Sequence, residues 1–226
     1  MTSFLSAAWG VAAKDIRVEL ASRTAITTAA AFGVLTLVVL NFARDPTVVS
    51  LATIAPGALW VTAAFAGIVA LNRSFSMELE QGGLDALLLA PVGRGAIYLG
   101  KYLANLAFVV VVDLIVLPVF VLFFNVAPTP ALVGILGLLV LAAAGYVAVG
   151  TVLAAMTVRT RFAELMLPVL LLVFMVPPML VGVQATTRLL GGRPMGEIVG
   201  WFWFLILYDV VFITLGLMLF PATVDE

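Results

Sequence analysis

Long apolar runs alternate with short polar joins along this whole chain. Crossing about 30 Å of hydrocarbon takes roughly 18 to 25 helical residues, and runs of that length fall near 25–42, 48–71, 102–124, 131–156, 165–184 and 199–220. An open strand would leave its backbone groups unpaired in lipid, so each run is expected to be an α-helix. Four of the joins are short: Arg44, Asp45 and Pro46 mark the first, and residues 125–130, 159–164 and 186–197 the third, fourth and fifth. Gly191, Gly192 and Pro194 punctuate the last of these. The pattern predicts an all-α fold, a polytopic membrane protein with six transmembrane helices in one membrane domain over 1–226.

Two segments break the pattern. Ahead of the first span, Leu5, Ala8, Trp9, Ala12, Ile16 and Leu20 recur at helical spacing against Lys14, Asp15 and Arg17, with Glu19 and Arg23 completing the charged set. That spacing predicts an amphipathic helix over 1–24 lying in the membrane interface. The second join, 72–101, is the longest. Within it begins LDALLLAPVGRGAIYLGKYLANL, residues 84–106, a short amphipathic element stopped by Pro91 and carrying Asp85, Arg94 and Lys101. It is expected to fold in water against the membrane face, where a soluble partner could push on it.

Composition removes whole classes of function. The 226 residues are 64% hydrophobic and 10% charged, with a mean hydropathy of +1.25, far above the roughly 45 to 50% apolar content of soluble domains. There is no Cys and no His, which excludes disulfides, thiolate metal sites and imidazole ligation of zinc or haem. A net charge of -1 points to no nucleic-acid partner. The N-terminus lacks a secretory pattern, because Lys14, Asp15, Arg17 and Glu19 precede the first long run. The cations orient the spans. Lys14, Arg17, Arg23, Arg73, Arg94, Lys101, Arg159 and Arg161 collect on one side, eight against the three of Arg44, Arg188 and Arg193. The positive-inside rule then predicts cytoplasmic termini and places Trp201 and Trp203 at the outer interface.

No G-x-x-x-x-G-K-[ST] phosphate loop, H-E-x-x-H pair or nucleophile elbow occurs. The chain is therefore expected not to be an enzyme and to bind no cofactor itself. Asp113 and Asp209 fall about eleven and ten residues into their spans, close to mid-membrane at about 1.5 Å per residue. An ionised carboxylate there costs at least about 2.5–3.5 kcal/mol. Each is thus expected to be neutral, hydrated in a cavity, or sharing a proton with the other, either as a substrate or proton site or as a hydrogen bond between helices. Pro56, Pro118, Pro168, Pro177 and Pro178 lie inside spans and are expected to kink them, as Pro commonly does in membrane helices. Gly134, Gly137, Gly145 and Gly150 on the fourth span suggest close helix packing.

The segments KDIRVELASR (14–23) and LWVTAAFAGIVALNRSFSMELEQGGLDALLLAPVGRGAIYLGKYLANL (59–106), with the six-span layout, resemble the CcmB family of haem exporter B subunits. The densest part, Arg73 through Lys101, is similar also to the wider ABC-2 permeases, whose coupling helix is a Leu-rich helix ending at Pro after an acidic, Gly-containing turn. The family often carries Glu where Asp85 stands. The resemblance implies a cytoplasmic coupling helix between spans two and three, with Glu78, Glu80, Asp85, Leu87, Leu88, Pro91, Arg94 and Lys101 engaging an ATP-binding subunit that is CcmA-like. It implies further partners, CcmC-like and CcmD-like membrane subunits and a CcmE-like haem chaperone, with haem handled by the complex and ATP held by the partner. Two membrane halves are needed, either a homodimer or a pairing with another six-span subunit. Three other readings stay open: an ABC-2-type exporter permease for a drug, lipid or glycan, a proton-coupled secondary transporter using Asp113 and Asp209, and a passive membrane scaffold.

Overall fold

The structure is a computed structural model that describes residues 3–45, 47–81, 92–157 and 163–224. It is built from helices throughout those residues: α1 (Phe4–Ser22), α2 (Thr24–Phe42), α3 (Leu51–Gln81), α4 (Arg94–Phe123), α5 (Ala131–Thr157), α6 (Ala163–Leu190) and α7 (Val199–Val224), with a 3-10 turn at Met195–Glu197 before the last. Helices α2 to α7 each carry a stretch long and apolar enough to cross a membrane. The six predicted spans are therefore present, preceded by the predicted N-terminal helix.

Boundaries differ from the sequence reading in three places. Helix α3 continues to Gln81, so the second span does not end near 71 and the first ten residues of the predicted 72–101 join are helical. The third span starts at Arg94 rather than near 102, so residues 94–106 are the first turns of α4 and not a solvated element. Ile97, Tyr98, Gly100, Lys101 and Tyr102 are buried there against other helices. Tertiary packing, not hydropathy, carries the helix through its polar start. The fifth span runs to Leu190 rather than 184. In its polar end Thr187 Oγ1 turns back to donate to the Val183 carbonyl at 2.8 Å, and Arg188 lies over the Trp201 ring, 5.5 Å from its centroid.

Helix α5 is the centre of the bundle, packed against α4, α6 and α7, while α2 lies on α3 and α4 and α1 lies on α4. Its glycines make this possible. Gly137 faces Phe202, Gly145 faces Tyr208 and Asp209, and Gly150 faces Leu71 and Leu171, so small residues admit close approach of neighbouring helices as expected. Three more aromatic rings lie on glycines of a neighbouring span, Trp60 on Gly182, Tyr146 on Gly67 and Tyr98 on Gly216. The outward faces remain apolar, with Leu35, Leu122, Val133, Val173, Leu207 and Met218 exposed, as lipid contact requires.

The prolines sit inside continuous helices: Pro56 in α3, Pro118 in α4, and Pro168, Pro177 and Pro178 in α6. Each removes an N–H and frees the carbonyl four residues before it. For Pro178 the fold supplies a replacement, since the Tyr208 hydroxyl of α7 donates to the Phe174 carbonyl at 2.6 Å. Outside the spans, Asp45 closes the turn between α2 and α3. Its carboxylate accepts from Thr47 Oγ1 at 2.6 Å and from the Thr47 backbone N–H at 2.8 Å, which holds the carboxyl below the usual range.

Candidate functional site

The charged residues of α1 divide between solvent and protein. Ser3 caps the helix, accepting from the Ser6 N–H at 3.3 Å. Residues then fall on three faces. Ala8, Val11, Ala12 and Glu19 are buried, Leu5, Trp9 and Leu20 are 70, 65 and 61% exposed, and Lys14 and Arg17 lie on the exposed polar side. The apolar positions that the sequence grouped as a single lipid-facing stripe are thus split. The small ones meet protein, and the large ones face outward as an interfacial helix requires.

Two charged contacts tie α1 to the spans. Lys101 of α4 is 3% exposed, and its Nζ lies 3.3 Å from Asp15 Oδ2, while Lys14 Nζ lies 2.9 Å from Asp15 Oδ1. Helix α1 comes so close at this point that a Cβ on Gly100 would stand 2.5 Å from the Ala8 carbonyl oxygen. Glu19, 3% exposed, reaches forward to accept the Ile26 N–H at 2.9 Å, satisfying a donor that the first turn of α2 leaves free. Arg23 makes the corner between the two helices in the left-handed region, at φ 54° and ψ 18°. Spacing alone gave no sign that Glu19 is a buried cap.

Residues expected to couple to an ATPase divide differently. Glu78 and Glu80 belong to the end of α3, but their side chains, and all of Asp85, Leu87, Leu88 and Pro91, lie outside the described residues. Arg94 opens α4, after Gly93 at φ -62° and ψ 136°. Lys101, grouped with them on sequence, is two turns further in and turned towards α1. Just inside this end, Ser74 of α3 donates to Asn105 Oδ1 of α4 at 2.9 Å, linking the two helices that flank the undescribed segment.

The two intramembrane acids approach α5 from different sides. Asp113, 2% exposed, borders a cavity of about 10 Å³ where α3, α4, α5 and α6 meet, together with Trp60, Tyr146, Met175 and Pro178. That volume is about the minimum for one water. Asp209, 7% exposed, lies on the opposite neighbour of α5, its Oδ1 2.7 Å from where a Gly145 Cβ would be. Successive helical residues point about 100° apart, so Gly145 and Tyr146 present these acids with separate surfaces. Oδ1 of each is buried without a hydrogen-bond partner among the described residues. Neither the shared proton nor the inter-helix hydrogen bond allowed by the sequence is made through those atoms. The polar link found nearby is instead between Trp60 Nε1 and Thr186 Oγ1, 2.9 Å apart and joining α3 to α6. Among the described residues no three of His, Cys, Asp and Glu cluster as metal ligands.

The geometry therefore presents a membrane bundle with a docked N-terminal helix, two flanking helices leading to the 82–93 join, and buried acids at mid-depth. Comparison with known proteins supplies the family. The heme exporter protein B of Paracoccus denitrificans is 31% identical over 188 residues, covering 82% of this chain and 85% of that protein. That of Rhodobacter capsulatus is 29% identical over 175 residues, covering 77% and 80%. The Escherichia coli heme exporter protein B is 39% identical over a shorter stretch of 72 residues, 32% of each chain. The family model described as CcmB protein matches residues 6–226, and on that match the chain belongs to the CcmB family.

Proposed function

We propose that this chain is the membrane permease subunit of an ABC transporter for cytochrome c maturation, coupling ATP hydrolysis by a separate subunit to haem export or to release of a haem-loaded chaperone. The observation that carries the reading is the CcmB match over residues 6–226, supported by relatives named heme exporter protein B that align over most of their length. The subunit sits in the inner membrane with both termini in the cytoplasm. Its CcmA-like partner holds the ATP, CcmC-like and CcmD-like subunits and a CcmE-like chaperone complete the complex, and haem is handled by the assembly rather than ligated by this chain.

The mechanism is mechanical. Closure of the ATPase moves the segment from Leu84 to Ala90, where Leu87 and Leu88 supply apolar burial, while Glu78, Glu80, Asp85 and Arg94 in and around it set register. Motion there reaches α3 and α4 together, because Ser74 and Asn105 bond across them. It reaches α1 through Lys101 and Asp15, and α7 through the Tyr98 ring seated on Gly216. The test is Leu88→Asp in a strain whose own copy is deleted. A carboxylate buried in the partner's cleft costs several kcal/mol, so co-purification of the ATP-binding subunit and haem staining of c-type cytochromes should both fall, with normal membrane insertion. Unchanged co-purification would remove the segment from the docking surface, and unchanged cytochrome maturation on deleting the whole chain would refute the assignment.

A second reading, a proton-coupled transporter, is favoured by a specific observation, the buried and unbonded Oδ1 atoms of Asp113 and Asp209. It predicts transport by this chain alone under a proton gradient.

A further inference from the structure

At the bundle end opposite α1, the start of α3, the α4–α5 join and the α6–α7 join enclose a cavity of about 640 Å³. That size lies in the range of small-ligand sites, roughly 300–1,000 Å³. Leu51, Ala55, Phe124, Val126, Leu189 and Leu190 line it, and among the described residues Arg193 is its single charged lining residue. We propose that this cavity binds an anionic phospholipid, with an acyl chain among the apolar walls and the phosphate at the Arg193 guanidinium.

Two features make it a formed site. The α6–α7 wall is a helix cap: the Arg193 N–H donates to the Arg188 carbonyl at 3.0 Å and the Gly192 N–H to the Leu189 carbonyl at 3.1 Å, with Gly192 at φ +74°. This pair of bonds closes the last turn of α6 and fixes the residue after the glycine. That residue is Arg193, so its backbone is set at the rim before any ligand arrives. The α4–α5 wall ends likewise, with Asn125 at φ 50° and the Val126 N–H bonded to the Val121 carbonyl at 3.1 Å.

Charge and depth select the ligand. Helices α4 and α6 direct their C-termini to this end and α3 and α5 their N-termini, so the helix dipoles largely offset one another and Arg193 decides the sign. Its nearest carboxylate, Glu197, is 3.9 Å away with both side chains largely exposed, a weak surface pair. Arg188 is already seated on Trp201. Trp201 and the 66% exposed Trp203 follow in the first turns of α7, and such aromatic residues sit at headgroup level. A cation at that depth beside an apolar cavity matches a lipid phosphate with its chain.

The test uses the full chain purified in mild detergent from nanodiscs holding equal phosphatidylglycerol and phosphatidylcholine, with bound lipid read by native mass spectrometry. Wild type should retain phosphatidylglycerol at least fivefold over phosphatidylcholine. Arg193→Gln should lose that preference while still retaining lipid. Ala52→Trp, which adds an indole from an exposed lining position, should retain neither. Both variants alter exposed positions, and their gel-filtration profiles report folding directly. Equal retention of the two lipids by wild type, a preference that survives both variants, or displacement of phosphatidylglycerol by equimolar haem would each overturn the proposal. The site does not rest on the proposed transport role, which is read separately by cytochrome maturation.

Discussion

The phenolic hydroxyl of Tyr208 donates to the Phe174 carbonyl at 2.6 Å, the carbonyl left without its helical donor by Pro178. One helix thus repairs a fault in another. The bond also places the residue before Asp209, so this repair adjoins one of the two intramembrane acids. Removing it leaves a carbonyl in a water-poor site with no replacement. Tyr208→Phe should lower stability by about 1 kcal/mol, within the range measured for hydrogen bonds between membrane helices. Thermal unfolding in detergent measures the difference, and an unchanged midpoint would mean the carbonyl finds another donor.

Glycines of this bundle differ sharply in what surrounds them. A Cβ at Gly182 would meet the Trp60 ring, whereas one at Gly57 would have nothing within 4 Å. Trp60 is 2% exposed and held by Thr186, so it cannot yield. Gly182→Ala should cost about 1–3 kcal/mol through overpacking, while Gly57→Ala should be neutral or stabilising by up to about 1 kcal/mol. Paired melting curves in one detergent test both.

Asp15 and Lys101 should behave as a unit. Lys101 is 3% exposed, and removing a carboxylate that it pairs with takes compensating charge away from a buried cation, which is more damaging than removing both charges. Asp15→Asn alone should loosen α1 and expose Lys14 and Arg17 to trypsin faster than the double variant with Lys101→Met. A coupling energy of about 0.5–3 kcal/mol is expected from the cycle. Additive effects would mean that the packing of Ala8 and Val11 at Gly100 holds α1 by itself.

The intramembrane acids separate two mechanisms. Asn keeps the size of Asp and its hydrogen-bonding capacity but cannot titrate. If the subunit works mechanically, Asp113→Asn and Asp209→Asn should each retain most cytochrome maturation, read as haem-stained c-type cytochrome per unit of membrane-inserted protein. A well-inserted but inactive Asp113→Asn variant would favour the proton-coupled reading instead.

Hydropathy alone determined the helical class, the number of spans and the presence of an N-terminal amphipathic helix, because lipid imposes one length and one backbone solution on any crossing segment. The glycines of α5 also announced close packing, since only small residues let helices approach. Tertiary structure decided the rest. Whether Arg94 to Lys101 belongs to a solvated join or to a span depends on α1, whose Asp15 comes from 86 positions away to meet Lys101. Ala8 and Leu5 have the same apolar character, yet one meets α4 and the other faces outward, a choice set by a partner helix that periodicity cannot name. Glu19 reads as surface charge until the left-handed turn at Arg23 folds α2 back under it. A one-dimensional pattern records how apolar each position is. Which neighbour satisfies each polar group is settled only when the helices pack.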